Sequence, residues 1–568
     1  MSAELKGIPA APGLARGASL LWESPPAQIP TFIPADSRLE KQRLLETLAL
    51  AARQLREMVG QISGQVGADH AAVFEAQAMF LEDPALVHRA ESLVDSGLNA
   101  GQAWHLACDF YATQLEHLPD ELLSARAADV RDISGRVLDI LAGRQSRLEI
   151  PRPAVILARD LAPSQTAILD TSKVLAFCTA EGGPTSHTSI LARALGIPAV
   201  VGLGEDVLAI ADGTLLLVDG TDGRLILDPA SHVEEAFMQR LQTGDATRRR
   251  DLEQASEYAR TQDGHRVEVV ANVGNVEDAR TAMEYGAEGI GLLRTEFLFL
   301  NRPLPPDEQT QYEAYHAILE IMGSRPVVAR TLDVGGDKEV PFFNFGPEAN
   351  PFLGYRAIRI SLDRPGEFKA QLRALLRAGH GHDLRIMFPM ISSTQEVLAA
   401  KSLLDEARQD LRLADEPFAD KVQVGIMVEV PSVVFLADRF ARIVDFFSIG
   451  TNDLTQYTLA AERGNKRLSR LSDPCHPAVL KEIQLTVAAA HNAGIWVGVC
   501  GEMAGDPQAI PILLGLGVNE LSMSPRQVPA AKQIIRVWSL KDAQAMTLRA
   551  LEEEDAAGVR NLVSKFKA

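Results

Sequence analysis

One histidine stands where a glycine-rich turn meets an apolar helical pattern. The stretch GGPTSHTSILARALGIPAVVG begins at Gly182, and its glycines and proline favour a tight turn. Thr185 and Ser186 offer hydroxyls that suit a helix cap, and the apolar residues after His187 recur at helical spacing. The pattern predicts His187 at a helix N-terminus, where unpaired N–H groups favour an anion such as a phosphoryl group on imidazole. A surface or capping histidine is the alternative.

A second group of polar residues follows short apolar runs in the C-terminal half of the chain. Each run precedes a helix-like segment, and the runs are VEVVAN, GIGLLRTE, VVARTLD, LRIMFP, VGIMVE, FFSIGTND, WVGVCGE and ELSMS. Eight such units are what a closed parallel barrel requires, and in that fold the chemistry lies where the strands end. The polar residues at these ends are Asn272, Arg294, Arg330, Glu429, Asn452, Asp453 and Cys500. Unpaired charges there would cost several kcal/mol, which favours a binding site.

Four arginines are suited to binding phosphate and carboxylate groups. A small substrate that carries both anions requires guanidinium forks, because each fork donates two parallel hydrogen bonds to one anion. Arg294 and Arg330 follow barrel runs, and Arg356 and Arg463 are further candidates. Any one of them could instead be the partner of a salt bridge.

Two carboxylates predict a metal site beside these arginines. Glu429 and Asp453 come from adjacent runs and would form a hard oxygen site that suits Mg²⁺ bridging substrate oxygens. The neighbouring Asn452 can donate a hydrogen bond to a substrate oxygen.

The composition excludes several classes of protein. A chain of 568 residues is too long for one core, and 46% hydrophobic residues argue against disorder. The net charge of −19 argues against nucleic acid as the main partner. The four cysteines have no metal-ligand spacing, and we find neither a signal peptide nor a membrane-spanning run. We therefore expect a cytoplasmic protein with reduced thiols.

Shifts in composition divide the chain into four predicted parts. Residues 34–143 have apolar positions three and four apart and predict an inserted helical bundle. Residues 1–33 and 144–230 carry short β-type runs and together predict a discontinuous α/β domain that contains His187. Residues 231–260 predict a linker helix, and residues 261–568 form the predicted barrel.

Several of these stretches resemble one known family. The stretch from Gly182 is similar to the phosphohistidine signature of phosphoenolpyruvate-utilising enzymes, and DFFSIGTNDLTQYTLA from Asp445 matches their second signature over nearly its whole length. GIGLLRTEFLF, ARTLDVGGDK and VGVCGEMAGD resemble the enzyme I family of the bacterial sugar phosphotransferase system. DLAPSQT from Asp160 resembles the family segment whose threonine hydrogen-bonds the active histidine, which here is Thr166. The resemblance covers almost the whole chain.

The resemblance implies a fold and a reaction. The expected fold is a swivelling phosphohistidine α/β domain with an inserted helical bundle, followed by a (β/α)8 barrel. The barrel would hold phosphoenolpyruvate with Mg²⁺ and the arginines, and Nε2 of His187 would attack phosphorus in line. Cys500 would then protonate the pyruvate enolate. The phosphohistidine domain would swing about a hinge near the linker helix to reach the next acceptor.

The resemblance also implies partners. The segments VFEAQAMFLEDP from Val73 and ARAADVRDISGRVL from Ala125 resemble the helical subdomain of the family, which docks the phosphocarrier protein HPr. Because Phe74, Met79 and Phe80 have helical spacing, a purely structural role in a core is the alternative for the first segment. The barrel would form a homodimer.

One position departs from the family pattern, and other functions compete. Many family members have Arg where this chain has Pro184, so one cationic contact near the phosphohistidine is missing. Pyruvate phosphate dikinase and phosphoenolpyruvate synthase need an ATP-binding domain for which this chain has no room. A non-catalytic regulator would not need the whole set of barrel residues. A barrel lyase would leave the stretch from Gly182 without a purpose.

Overall fold

The computed structural model describes two compact units, Met1–Asp245 and Ala246–Ala568. The described residues are 3–22, 29, 32–34, 36–66, 77–116, 121–143, 150–161, 171–183, 186–300, 302, 304–336, 340, 342–343, 346, 348–462, 468 and 471–566. No helix among them combines the length and the apolarity that crossing a bilayer requires.

An eight-stranded mixed sheet forms the centre of the first unit. Its strands run in the spatial order β1-β8-β7-β3-β4-β5-β6-β2, with parallel pairing from β3 to β6 and antiparallel pairing elsewhere. Strand β4 is buried along its whole length, as expected for a central strand that is covered on both faces. The strands are β1 Ala3–Lys6, β2 Ile8–Ala11, β3 Leu14–Trp22, β4 Ala154–Ala158, β5 Val174–Thr179, β6 Ala199–Val201, β7 Leu215–Asp219 and β8 Arg224–Leu227.

A group of long helices lies between β3 and β4 in the sequence. They are Ser37–Val66, Pro84–Asp95, Ala100–Glu116 and Glu121–Leu141. In the first of them Leu44, Leu48, Ala51 and Leu55 are buried at intervals of three and four residues, which places them on one face. This face packs against the other helices, so the helical periodicity of the sequence is what builds this core.

Two further helices belong to the sequence after β5. They are His187–Leu195 and Ser231–Glu253, and the second includes the boundary between the two units. This helix ends at Glu253, whereas the predicted linker helix continues to residue 260. Beyond it the carbonyl oxygens of Ala255 and Glu257 accept hydrogen bonds from the buried ammonium group of Lys532, at 2.7 and 3.1 Å. These bonds hold the chain in a non-helical path.

Eight parallel strands form a closed barrel in the second unit, in the order β10-β11-β12-β13-β14-β15-β16-β9. Each strand corresponds to one of the eight apolar runs, so the predicted barrel is confirmed. The strands are β9 Glu268–Val273, β10 Ile290–Arg294, β11 Val327–Arg330, β12 Leu384–Phe388, β13 Gln423–Val428, β14 Phe446–Ile449, β15 Trp496–Val499 and β16 Glu520–Met523.

Helices surround and connect these strands. Their apolar faces join the outer faces of the strands in one large buried core, as in other barrels of this type. The helices are Val276–Glu284, Glu308–Met322, Ile358–Asp363, Pro365–Ala378, Thr394–Leu413, Pro431–Phe435, Ala437–Phe440, Thr451–Leu459, Pro477–Ala493, Ile510–Leu516, Val528–Arg536, Leu540–Ala550 and Ala556–Phe566.

Candidate active site

The glycine-rich stretch of the first unit leads into a capped helix. Gly182 has a φ of 104°, a conformation that favours glycine. Ser186 is the N-cap of helix His187–Leu195 and accepts a hydrogen bond from the backbone N–H of Ser189 at 3.3 Å. The Ser189 hydroxyl donates to the Gly183 carbonyl at 2.6 Å. The backbone of His187 therefore begins the helix, at the end where unpaired N–H groups concentrate positive charge.

The start of this helix is tied to the segment that follows β4. The Thr188 hydroxyl donates to the Asp160 carboxylate at 3.2 Å, and Asp160 is the first residue of the stretch DLAPSQT. Thr166, later in the same stretch, lies outside the described residues, as do Pro184 and the side chain of His187. The roles of Thr166 and His187 stay predictions.

Most of the residues predicted for the second unit lie together at the C-terminal end of the barrel. Each of them ends a strand or follows one within a few residues: Arg294, Arg330, Glu429, Asn452, Asp453 and Cys500. Asn272 lies within β9, one residue before its end. Arg463 lies outside the described residues.

Arg330 is a buried cation held between two buried carboxylates. Its guanidinium group contacts Glu296 Oε1 at 2.5 Å and Asp333 Oδ2 at 3.1 Å. Although burial alone would lower the pKa of Arg330, these two carboxylates raise it above its ordinary value. Arg330 is therefore a fixed positive charge with a fixed orientation.

Arg356 connects Asp333, one of these two carboxylates, to the helix after β14. One of its terminal nitrogens contacts Asp333 Oδ1 at 3.1 Å, and the other contacts Asp453 Oδ1 at 3.3 Å and the Tyr457 hydroxyl at 3.4 Å. Asp453 and Tyr457 are four residues apart on helix Thr451–Leu459 and so share one face. Gly335, with a φ of 98°, lets the chain approach Arg356, because an added Cβ would lie 2.6 Å from the Cβ of Arg356.

Glu429 is the most deeply buried carboxylate of the cluster. Its Oε1 accepts a hydrogen bond from the backbone N–H of Met390 at 2.6 Å, whereas Oε2 has no hydrogen-bond partner among the described residues. Burial raises the pKa of Glu429 to about 8, and the carboxylates of Asp453 and Asp333 act in the same direction. An unpaired oxygen in such a place is a position where a cation would bind favourably.

The balance of charge points to the same kind of ligand. Two guanidinium groups, of Arg330 and Arg356, face four carboxylates, those of Glu296, Asp333, Glu429 and Asp453. With every group ionised, these six described side chains have two more negative than positive charges. A divalent cation with hard oxygen preference fits both this excess and the unpaired Glu429 Oε2.

Cys500 is buried in the barrel interior beside this cluster. Its thiol contacts the carbonyl oxygen of Ile449 at 3.7 Å and packs among Leu292, Met427 and Phe446. Burial raises the pKa of Cys500 to about 11, although the nearby Ser448 hydroxyl and the charge of Arg330 oppose the rise. The thiol therefore keeps its proton at neutral pH.

The two asparagines have different surroundings. Asn272 donates from its amide to the carbonyl oxygen of Cys500 at 3.2 Å and accepts from the Ser522 hydroxyl at 2.6 Å, so it helps to position the cysteine. Asn452 accepts from the backbone N–H of Glu502 at 3.0 Å through its Oδ1. That bond leaves the amide nitrogen of Asn452 available as a donor.

Arg294 differs from the other arginines of the barrel. It is half-buried at the end of β10, and its guanidinium group forms no hydrogen bond or ion pair with any described residue. Burial raises the pKa of the Asp278 carboxyl, and the charge of Arg294 acts on that group and opposes the rise. Among the described arginines at the strand ends, Arg294 is the one whose fork is available for an anionic ligand.

Sequence reasoning missed three residues that orient the cluster. Glu296 and Asp333 end the runs GIGLLRTE and VVARTLD, so their position after a strand could have identified them as members of the site. Tyr457 stands four residues after Asp453, which is also a signal once a helix is assumed. Met390, by contrast, has a φ of 53°, and nothing in its residue type indicates that its backbone N–H faces Glu429.

Comparisons with known proteins agree with this geometry. The PEP-binding domain of PEP-utilising enzymes matches residues 248–539, the N-terminal domain of that family matches residues 6–126, and its mobile domain matches residues 150–223. The chain belongs to the family of PEP-utilising enzymes, and the resemblance seen in the sequence is confirmed.

Relatives within the family carry a more specific name. A phosphoenolpyruvate-protein phosphotransferase of Staphylococcus carnosus is 41% identical over 575 residues, which cover 100% of this chain and 99% of the relative. A protein of the same name from Bacillus subtilis is 42% identical over 95% of this chain and 96% of the relative. A multiphosphoryl transfer protein of Rhodobacter capsulatus is 45% identical over 93% of this chain and 63% of its own length.

Proposed function

We propose that the chain is a phosphoenolpyruvate–protein phosphotransferase. It takes the phosphoryl group of phosphoenolpyruvate onto His187, releases pyruvate, and passes the group to a histidine of the carrier HPr, as the first step of a sugar phosphotransferase system. The observation that carries the proposal is the buried cluster of arginines and carboxylates at the strand ends of the barrel. The helix that begins at His187 and the names of the full-length relatives support it.

Substrate binding is assigned to the arginines and to one asparagine. Arg294, whose guanidinium group has no hydrogen-bond or ion-pair partner among the described residues, is assigned to the phosphate or the carboxylate of phosphoenolpyruvate. Arg330 and Arg356 present fixed cations whose orientation is set by Glu296, Asp333 and Asp453. We also assign substrate contacts to the amide of Asn452 and to Arg463, which lies outside the described residues.

The metal site is assigned to Glu429 and Asp453, and the metal to Mg²⁺. When bound there, the ion neutralises charge on the phosphate oxygens and orients the substrate. The unpaired Oε2 of Glu429 supports this assignment. The ion pair with Arg356 holds the Asp453 carboxylate in place.

In the chemical step, a neutral ring nitrogen of His187 attacks phosphorus. The N–P bond forms as the bond between phosphorus and the enol oxygen breaks, and the electron pair of that bond leaves with the pyruvate enolate. Thr166 would orient the imidazole ring. The helix start favours the phosphorylated state because unpaired backbone N–H groups face the added negative charge.

Cys500 is assigned the proton transfer that completes the reaction. The enolate carbon takes a proton from the Cys500 thiol and becomes the methyl group of pyruvate, and solvent later restores the thiol. The raised pKa of Cys500, caused by burial, supports the role because a thiolate could not donate. Asn272 holds the backbone of Cys500 in place.

We assign the binding of the carrier HPr to the helical part of the first unit. Several apolar side chains are exposed in this part of the chain, and these are Leu39, Leu45, Met79, Leu106 and Phe110. Met79 is 63% exposed, as an interface residue would be, whereas Phe80 packs against the helical core. Phe74 lies outside the described residues.

The remaining assignments concern the organisation of the protein. We propose that residues 1–33 with 144–230 form the phosphohistidine domain, residues 34–143 the carrier-binding subdomain, residues 231–260 the linker, and residues 261–568 a barrel that forms a homodimer. We also propose that the protein acts in the cytoplasm. The unit boundary within helix Ser231–Glu253 is compatible with a hinge in the linker.

Single-turnover labelling tests this function. The protein is mixed with Mg²⁺ and phosphoenolpyruvate labelled in the phosphate, pyruvate is measured, and acid-labile phosphate is mapped by peptide analysis. We expect stoichiometric pyruvate and label on His187 that passes to added HPr, and no label in His187→Ala. Pyruvate release without label on His187 would instead favour a lyase or phosphatase. The absence of any reaction would favour a regulator.

A further inference from the structure

Two histidines and a glutamate meet at the face of the barrel opposite to the strand ends described above. His316 and Glu320 are four residues apart on helix Glu308–Met322 and therefore share one face. His382 precedes β12 by two residues and lies at the start of that strand. One ligand atom from each of the three side chains lies within 4.8 Å of the other two.

The hydrogen bonds of His382 fix the tautomer that the ring must adopt. Its Nδ1 lies 3.1 Å from the carbonyl oxygen of Gly323, which can only accept, so Nδ1 carries the hydrogen. In the neutral ring Nε2 then has a lone pair. Yet Nε2 faces the Glu320 carboxylate at 3.2 Å, and two acceptors repel each other at this distance. A proton or a metal ion between them removes the repulsion.

The arrangement has the features of a metal site with an outer hydrogen bond. A histidine that ligates a metal through one nitrogen commonly donates its other N–H to a carbonyl or carboxylate, which orients the ring. The bond from His382 to Gly323 has this form. His316 and Glu320 lie on one helix and His382 lies 62 residues after Glu320, so a bound ion would join helix Glu308–Met322 to the segment before β12.

The distances suit a tetrahedral ion. Zinc–nitrogen and zinc–oxygen bonds of about 2.0 to 2.2 Å place neighbouring ligand atoms roughly 3.3 Å apart. Glu320 Oε1 lies 3.2 Å from His382 Nε2 and 3.8 Å from His316 Nε2. The ligand atoms of His316 and His382 lie within 4.8 Å of each other, so binding would require the His316 ring or the exposed Glu320 side chain to rotate, and water would complete the coordination.

We propose that His316, Glu320 and His382 bind a divalent transition metal ion of the zinc class at the N-terminal face of the barrel. Imidazole nitrogens select such ions over Mg²⁺, which prefers oxygen ligands. The site is separate from Glu429 and Asp453, which follow the opposite ends of strands β13 and β14. It stabilises the barrel and takes no part in phosphoryl transfer.

Zinc retention by the full chain tests the proposal. Protein without an affinity tag is stripped of metal, loaded with Zn²⁺ in the presence of excess Mg²⁺, dialysed, and analysed for metal content. We expect one retained Zn²⁺ per chain, and a rise in the unfolding temperature of the barrel on loading. His382→Gln should lower zinc affinity by about 100-fold or more, beyond the loss expected for an outer partner. Glu320→Gln, at an exposed position, should also lower it without any effect on folding.

Two control variants separate this site from its surroundings. His380→Gln removes a nearby histidine whose Nδ1 faces the Phe418 carbonyl at 3.3 Å, and it should retain zinc. Glu429→Gln alters the proposed Mg²⁺ site and should also retain zinc. The proposal is overturned if the unaltered chain retains no Zn²⁺, or if His382→Gln and Glu320→Gln retain as much as the unaltered chain. Loss of zinc in Glu429→Gln alone would overturn it as well.

Discussion

The two candidate reaction centres of this chain consist of different kinds of chemical group. At the start of helix His187–Leu195 the described contacts are made by the hydroxyl groups and backbone atoms of Ser186, Thr188 and Ser189, together with the exposed carboxylate of Asp160. At the strand ends of the barrel, buried arginines and carboxylates hold one another in place. Among the described residues, the first centre relies mainly on hydroxyl groups and backbone dipoles, and the second relies on buried charges.

The difference follows from what each centre must bind under the proposed function. A phosphohistidine exchanges its phosphoryl group with two partners, so a helix start that stabilises an anion without buried counter-ions suits it. Phosphoenolpyruvate is small and highly charged, so its site needs charges that are oriented before it arrives. A substitution of one of these buried, ion-paired charges should lower both activity and stability, because it also leaves the partner charge buried without its counter-ion. Substitutions in the two centres should therefore behave differently.

The largest effect is expected for His187→Ala, which should abolish activity and leave stability unchanged. His187→Ala removes the proposed nucleophile, and phosphoryl transfer to HPr should fall by at least about 10⁴-fold. The helix should remain, because Ser186 and not His187 provides its cap. Transfer of labelled phosphate and hydrogen exchange of residues 186–195 measure the two effects.

His232→Ala provides the matched control for this substitution. His232 is exposed on helix Ser231–Glu253, and its replacement should leave transfer unchanged. Equal losses in the two variants would contradict the assignment of His187.

Glu429→Gln should reduce activity without reducing stability. Loss of a charged ligand should lower metal-dependent turnover by about 10²- to 10⁴-fold. The barrel should be as stable as before or more stable, because the amide oxygen can still accept from Met390 and a desolvated acid is removed. Turnover as a function of Mg²⁺ concentration, together with thermal unfolding, checks both parts.

Glu482→Gln is the control, since Glu482 is a buried carboxyl that accepts from the Thr458 hydroxyl at 2.6 Å. We expect this change to leave the Mg²⁺ dependence unaltered. A barrel that loses stability only in Glu429→Gln would show that Glu429 is structural.

Arg330→Met should cost both activity and stability. It leaves Glu296 and Asp333 buried without the guanidinium group between them, and we expect a loss of about 3 to 5 kcal/mol. Arg16→Met in the first unit breaks an ion pair with Glu234 whose members are partly exposed, and it should cost less than about 1 kcal/mol. Hydrogen exchange resolved for each unit measures both losses, and similar losses would remove the distinction between the two regions.

Glu520 predicts a pH dependence that is confined to the barrel. Burial raises the pKa of Glu520 to about 8, opposed by Arg385 and assisted by Glu268 and Glu288. Between roughly pH 5 and pH 8 the folded chain keeps a proton that the unfolded chain has lost, so barrel stability should fall as pH rises, by at most about 1.4 kcal/mol per pH unit. Glu520→Gln should remove the part of this slope that Glu520 contributes and stabilise the barrel at pH 8, whereas the part contributed by Glu429, whose pKa burial also raises to about 8, remains. An unchanged slope in denaturant unfolding would contradict the assignment.

The smallest effect is expected at the cap of the first centre. Ser186→Ala removes the acceptor of the Ser189 N–H, and helix His187–Leu195 should lose about 1 kcal/mol of local stability. Exchange of its amide hydrogens should become about fivefold faster. Ser186→Thr keeps the hydroxyl and should leave the exchange rates close to those of the unaltered chain. Faster exchange throughout the first unit would show that the cap supports more than its own helix.

The sequence alone determined the architecture of the barrel and the start of the phosphohistidine helix. Eight apolar runs became eight strands because a strand that is covered on both faces needs a continuous apolar sequence. The cap at Ser186 was predictable because capping depends on neighbours within one turn. Arg294, Arg330, Glu429 and Asp453 could be grouped because parallel strands bring their ends to one face.

Only the tertiary structure decided how these residues interact. The sequence could not show that Arg330 and Arg356 are shared among carboxylates while Arg294 has no ion-pair partner among the described residues, because ion pairs across a barrel depend on side-chain distances. The same holds for Met390, whose backbone N–H reaches Glu429, and for His382, which meets Glu320 from a distant segment. Local patterns specify elements, whereas contacts between elements follow from the packing of the whole chain.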